Sequence, residues 1–155
     1  MTVEKSTVIE NTWKAFFDRL KDQVKTVSIT GSTTITIQNY VSTFPDNLID
    51  SKSDYPILVV ESPIFSGDTF TIGKEQLSGK ISIDIYTNQG ESADKFLSKI
   101  MDSVETYKHT FRDNGLSMIK VDGITNDSVS RDKIKLHIRS VVFAFNFHYN
   151  KTGAY

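Results

Sequence analysis

The chain of 155 residues contains no cysteine. Disulfides and every metal site built on thiolates are therefore excluded, and the composition suits a reducing compartment. Long apolar runs are also missing. The two longest, residues 56–60 and 141–145, fall far short of the roughly 20 residues that a membrane-spanning helix needs. Met1, Thr2, Val3, Glu4 and Lys5 do not begin the apolar core of a secretory signal. These absences predict a soluble, non-secreted protein with no membrane partner. Charge of one sign is lacking too: 18 Lys and Arg stand against 19 Asp and Glu, for a net charge of −1. Such a balance does not advertise tight binding to the DNA backbone, which calls for clustered cations. The length predicts one domain over residues 1–155, large enough to bury its own core without staples.

What is present centres on residues 78–107. Ile81, Ile83 and Ile85 alternate with Lys80, Ser82, Asp84 and Tyr86, the period of a strand with one buried face. Asn88, Gln89 and Gly90 form a turn signal, and Ser92 is placed to cap a following helix, with Glu91 near its positive end. In that helix Ala93, Phe96, Leu97, Ile100, Met101, Val104 and Tyr107 recur at three and four residues, so one face is apolar. A half-apolar strand followed at once by a one-sided helix predicts a helix lying across a sheet.

Residues 8–24 read as a first helix, with Ile9, Trp13, Phe16, Phe17, Leu20 and Val24 on its core face. Residues 26–40 read as a Thr- and Ser-rich hairpin turning at Gly31, thin in apolar content. Such a hairpin is either a sheet edge or an arm that orders against a neighbour. A polar loop is expected over 43–54. Ile57, Leu58, Val59 and Val60 then make a continuous apolar strand, covered on both faces and hence central, with Pro56 at its start. Residues 64–77 read as a turn-rich excursion carrying Phe65, Phe70 and Ile72; these side chains meet a partner or fold back onto the core. Asn114 and Gly115 supply a helix stop, and residues 116–124 a strand closing at Asn126 and Asp127. The last strand, 133–149, changes parity: Ile134, Leu136 and Ile138 give way after Ser140 to Val141, Phe143, Phe145, Phe147 and Tyr149. That change means either a bulge near Ser140 or a strand passing from one packing environment to another.

Motifs of catalysis are not found. Five residues separate Gly67 from Gly73, and Glu75 stands where a phosphate loop needs a hydroxyl for magnesium. His109, His137 and His148 lack the spacing of metal ligands. Glu61 and Asp84 fall late on neighbouring strand candidates, where acids of metal-dependent nucleases stand. A nuclease of that kind wants a lysine two residues beyond a strand carboxylate, but Pro63 and Tyr86 occupy those positions.

The strings Tyr55 to Pro63 and Gly79 to Tyr86 stand out, followed by the turn, the helix opening on Ala93 and Asp94, Gly115 and Leu116, and the closing strand. Together they resemble the tail terminator (tail completion) proteins of long-tailed bacteriophages and related head–tail joining proteins. The resemblance covers most of the chain. It implies an α+β fold: a mixed, mainly antiparallel β-sheet with two amphipathic helices packed on one face and a projecting hairpin or loop. It also implies a structural protein with no active site, no cofactor and no metal. Six copies would form a ring on the head-proximal end of a tail tube, stop its growth and offer a surface to the head connector. The implied partners are other copies of the chain, the major tail tube protein, the head completion or connector protein, and DNA only in transit through the lumen. The implied location is the virion tail, after assembly in the host cytoplasm. A ring of identical subunits needs head-to-tail contacts. The expected contact residues are Phe65, Phe70, Ile72, Phe145 and Phe147, with the Thr-rich hairpin as a further supplier. Rival readings are a head–tail adaptor or monomeric binding module, and the nuclease.

Overall fold

The computed structural model describes residues 8–31, 33–43, 54–71, 74–131 and 134–150. Its elements are α1 (Val8–Gln23), β1 (Thr26–Ile29), β2 (Thr33–Thr36), β3 (Asn39–Val41), β4 (Ile57–Val60), β5 (Ile64–Thr71), β6 (Lys74–Thr87), α2 (Gly90–Thr106), α3 (Lys108–Asp113), β7 (Leu116–Arg131) and β8 (Ile134–Asn150). Of the polar loop expected over 43–54, residues 44–53 lie outside the described residues.

Six strands form the main sheet in the order β3-β4-β6-β8-β7, with β5 also paired to β6. Every pairing in it is antiparallel except β3 with β4. β4 and β5 follow one another along the same edge of β6. Val60 opposes Ile83 and Ile64 opposes Lys80, so Glu61, Ser62 and Pro63 accommodate a single extra residue. The expected excursion is therefore a β-hairpin that prolongs the sheet. Gly67, Asp68 and Gly73 read as turn signals, yet Gly67 and Asp68 lie within a strand because β6 pairs with that stretch throughout.

The fold is α+β, with the helices on one face of the sheet. Phe16, Leu20 and Val24 from the α1 region pack with Phe96, Leu97, Ile100 and Val104 of α2 and Phe111 of α3. Beneath them lie Ile81, Ile83 and Ile85 of β6 and Val141, Phe143, Phe145 and Phe147 of β8. Burying these side chains away from water is the main source of stability for the layer. Three helices are present among the described residues where two were expected. The second apolar stripe breaks at Tyr107 and continues in the short α3, which ends before Gly115 at φ 89°. α2 begins two residues earlier than its expected cap. The Ser92 hydroxyl lies inside the first turn, donates to the Gln89 carbonyl at 2.8 Å and meets Thr87 Oγ1 at 2.9 Å. Ile9, assigned to the core face of α1, is half exposed, and Thr12 is buried instead.

The β4 strand is covered on both faces, as its composition predicts. Leu58 and Val60 join the helix-side core, while Ile57 and Val59 pack with Tyr55 and Leu136 on the far side. This second cluster explains the parity change in β8. The ladder between β6 and β8 runs in unbroken register from Lys74↔Asn150 to Thr87↔His137, so no bulge occurs at Ser140 on that side. Leu136 faces the far cluster, and Val141, Phe143, Phe145 and Phe147 face the helices. The strand passes between two packing environments.

Candidate assembly surface

Gly79 pairs with Phe65 on one side and Phe145 on the other, and the two rings close over its bare Cα. Phe65 is half-buried and meets Phe145 and Phe147 edge to face. Phe145 is 3% exposed and Phe147 fully buried. Phe145 also meets Phe16 of α1 at a tilt, with ring centroids 5.8 Å apart. These two rings belong to the chain's own core and are not available to anchor in a neighbour, which corrects the contact assignment made for them. The reason is parity: alternate residues of β8 point to one face, and three helices roof that face. Of the other expected contact residues, Phe70 lies on β5 but its side chain, like the whole of Ile72, lies outside the described residues.

The Thr-rich hairpin is neither an edge of the main sheet nor an arm held away from the domain. β1 and β2 form their own two-stranded sheet. It is fastened to α2 by charged side chains: Lys99 Nζ donates to the Thr26 carbonyl at 2.6 Å and Lys95 Nζ to that of Ser28. The amide and hydroxyl of Thr30 both donate to Glu91 Oε1, at 3.0 and 2.7 Å. These bonds hold the Glu91 carboxyl below its usual range.

Uncommitted surface lies elsewhere, along β7. This strand extends to Arg131, well past the turn expected at Asn126 and Asp127, because β8 pairs with it in regular register from Ile124↔Val141 to Arg131↔Ile134. Between Lys120 and Ser130 every residue is exposed except the half-buried Gly123. Val121, Ile124 and Val129 are 45%, 48% and 36% exposed. Among the described residues β7 pairs with β8 alone, so its outer edge is a rim of the sheet. Two irregularities, between Ser117 and Lys120 and between Val121 and Gly123, bend its first half.

Met118 (φ 54°) at that bend and Ile64, three strands away on β5, are 76% and 77% exposed. Both line a groove of about 470 Å³ that also takes in Lys80, Asp122, Ala144 and Asn146. Lys80 and Asp122 form an ion pair at 3.0 Å across it. Large exposed apolar side chains beside an open sheet rim are the kind of surface that proteins usually cover. The sequence signal for this site was the apolar content of residues 121–129, masked by two residues with turn chemistry.

The carboxylates singled out in the sequence do come together. Asp84 is buried on the far face and accepts a hydrogen bond from Ser82 Oγ at 3.2 Å. Desolvation raises the Glu61 carboxyl above its ordinary range, and the charge of Asp84 raises it further. Pro63 and Tyr86 remain where a nuclease would carry lysine. Among the described residues no three His, Asp or Glu side chains converge in a way that would hold a metal ion. His137 packs by the start of α2 and His109 near Tyr107, at separate places in the fold.

No helix among the described residues is long and apolar enough to cross a membrane. No family model matches the chain, and no curated protein matches it.

Proposed function

We propose that the chain is a structural assembly protein of the tail-terminator kind, which forms a ring on the head-proximal end of a phage tail tube. The reading rests on the string resemblance in β4, β6, α2 and β8, and on an α+β layer whose helices occupy one face. The observation that carries it is the rim of β7, a sixteen-residue strand paired on one side and exposed through its central stretch. A long unpaired edge is a surface that proteins usually blunt or cover, and a ring needs a head-to-tail contact surface on every subunit. The contact surface is assigned to β7 with Ile64 and Met118, in place of Phe145 and Phe147.

The mechanism is blocking plus presentation. One ring face copies the contacts of a tube subunit, and the other offers no site for the next tube ring. It presents instead a surface to the head connector. The near-zero net charge suits a lumen through which DNA passes without being held. No catalytic group, cofactor or metal enters this scheme, and the place of action is the virion tail.

The test is to add the chain to polymerising tail tube protein and to measure tube lengths by electron microscopy. Growth that stops at a length set by the time of addition, with a cap on one end only, supports the reading. Tubes that grow unchanged would overturn it. A head–tail adaptor would bind the connector protein and leave tube growth untouched.

A further inference from the structure

We infer that the outer edge of β7 receives β3 from the opposite rim of a second copy, so that the main sheet runs on from subunit to subunit. This rests on the ring reading above and names the contact that would build it.

The first ground is the state of the edge. Sheets with a long free rim usually blunt it with charge, proline or bulges. Here the bulges stop at Gly123. From Ile124 to Ser130 there is no proline and one charged residue, Asp127. The stretch is regular, exposed and unprotected.

The second ground is direction. Val41 pairs with Val59, Val59 with Asp84, Asp84 with Ser140 and Ser140 with Thr125, so these five residues form one row across the sheet. Five strands in strict antiparallel alternation would end with both rims pointing the same way. The parallel β3–β4 pair breaks the alternation, and β7 therefore runs opposite to β3. β5, which continues the line of β4 along β6, runs with β3 and β4, since β4 and β5 both oppose β6. A copy turned about an axis along the strands keeps its strand direction. The β3 strand it offers then meets β7 antiparallel, the more favourable pairing, with Ser42 and Asn126 each next to the row that carries Val41 and Thr125. The contact is head-to-tail, which is what lets a ring close.

The absence of cysteine makes the test clean. Ser42, beside β3, and Asn126, on β7, are both exposed. Chains carrying Ser42→Cys, Asn126→Cys or both are treated with a short bismaleimide at a concentration where light scattering reports oligomers. The double variant is expected to give a ladder of species at whole multiples of the chain mass, and each single variant to remain at the chain mass. Dimers from Asn126→Cys alone would mean that β7 meets β7 about a two-fold axis, and would overturn the inference. A double variant that oligomerises without cross-linking would overturn it too, leaving the ring reading intact. A chain that stays monomeric at its highest soluble concentration also overturns it, and the tube-length measurement then decides the ring reading separately.

Discussion

The rings of Phe65 and Phe145 meet edge to face above Gly79, with centroids 5.6 Å apart and planes at 74°. A Cβ at position 79 would lie 2.6 Å from Phe145 Cε2 and 2.8 Å from Phe65 Cε1. The glycine leaves a gap in the strand that its two cross-strand neighbours fill. Gly79→Ala must push both rings out of place, and overpacking of this kind costs about 1–3 kcal/mol. Urea unfolding followed by circular dichroism should record that loss.

The same geometry separates core from contact residues. Phe147→Ala removes a fully buried ring and should cost about 3–5 kcal/mol, as should Phe145→Ala. Ile64→Ser and Met118→Ser change side chains that are more than three-quarters exposed and should move stability by no more than about 0.5 kcal/mol. On the proposed function, the second pair lowers self-association measured by light scattering. The first pair acts there only through unfolding.

Trp13 reaches across from α1 and donates its indole N–H to the Val60 carbonyl at 2.7 Å. It is the only tryptophan in the chain. Trp13→Phe keeps most of the ring's apolar contact and deletes the donor, leaving a carbonyl at the end of β4 without this partner. The expected loss is about 1–2 kcal/mol. Circular dichroism is the readout, since the substitution removes the fluorescent reporter.

Two glutamates should respond to pH with opposite signs. The Glu61 carboxyl is raised by desolvation and then by Asp84, so between its ordinary and its raised value the folded chain holds more protons than the unfolded one. Stability therefore falls as pH rises through that window, and the deficit is complete above it. Glu91 is lowered, chiefly by the Thr30 hydroxyl and then the Thr30 amide. Its contribution is present above the ordinary glutamate value and is lost as pH falls through the lowered one. Glu61→Gln should raise the urea midpoint at neutral pH, with the gain fading in acid. Glu91→Gln should lower it at neutral pH, with the loss fading in acid.

The helices and the buried strands were legible in the sequence because each carries its own periodicity. The 3.6-residue stripe of Phe96, Ile100 and Val104 and the alternation of Ile81, Ile83 and Ile85 depend on one-sided burial, which local spacing records. The parity change at Ser140 was legible as a change of environment, but only the far cluster around Leu136 decides between that and a bulge. β5 and the second half of β7 were hidden for a different reason. Gly67, Asp68, Asn126 and Asp127 have turn chemistry, yet continuous pairing with β6 or β8 holds them in strands. Strand pairing is a long-range property that local composition does not encode. The expectation that Phe145 and Phe147 meet a neighbour fails on the same ground. Large aromatic residues late in β8 read as spare apolar area until the helices that cover them are in place.

The rim of β7 allows a test in which the fold and the contact respond to different substitutions. In an antiparallel strand the amide and carbonyl of one residue point to one neighbour, and those of the next residue point the other way. Thr125 and Asn126 oppose Ser140 and Arg139, so one of the two donates towards β8 and the other towards the open side. Proline deletes the donor at either position. Of Thr125→Pro and Asn126→Pro, one should lose about 1–3 kcal/mol through a broken ladder bond. The other should keep its thermal midpoint within a few degrees, since it removes only an amide that faces solvent in the monomer. If a second copy adds a strand there, this stable variant no longer oligomerises in light scattering and no longer arrests tube growth. A stable variant that still does both would show that the rim is left bare in the assembly.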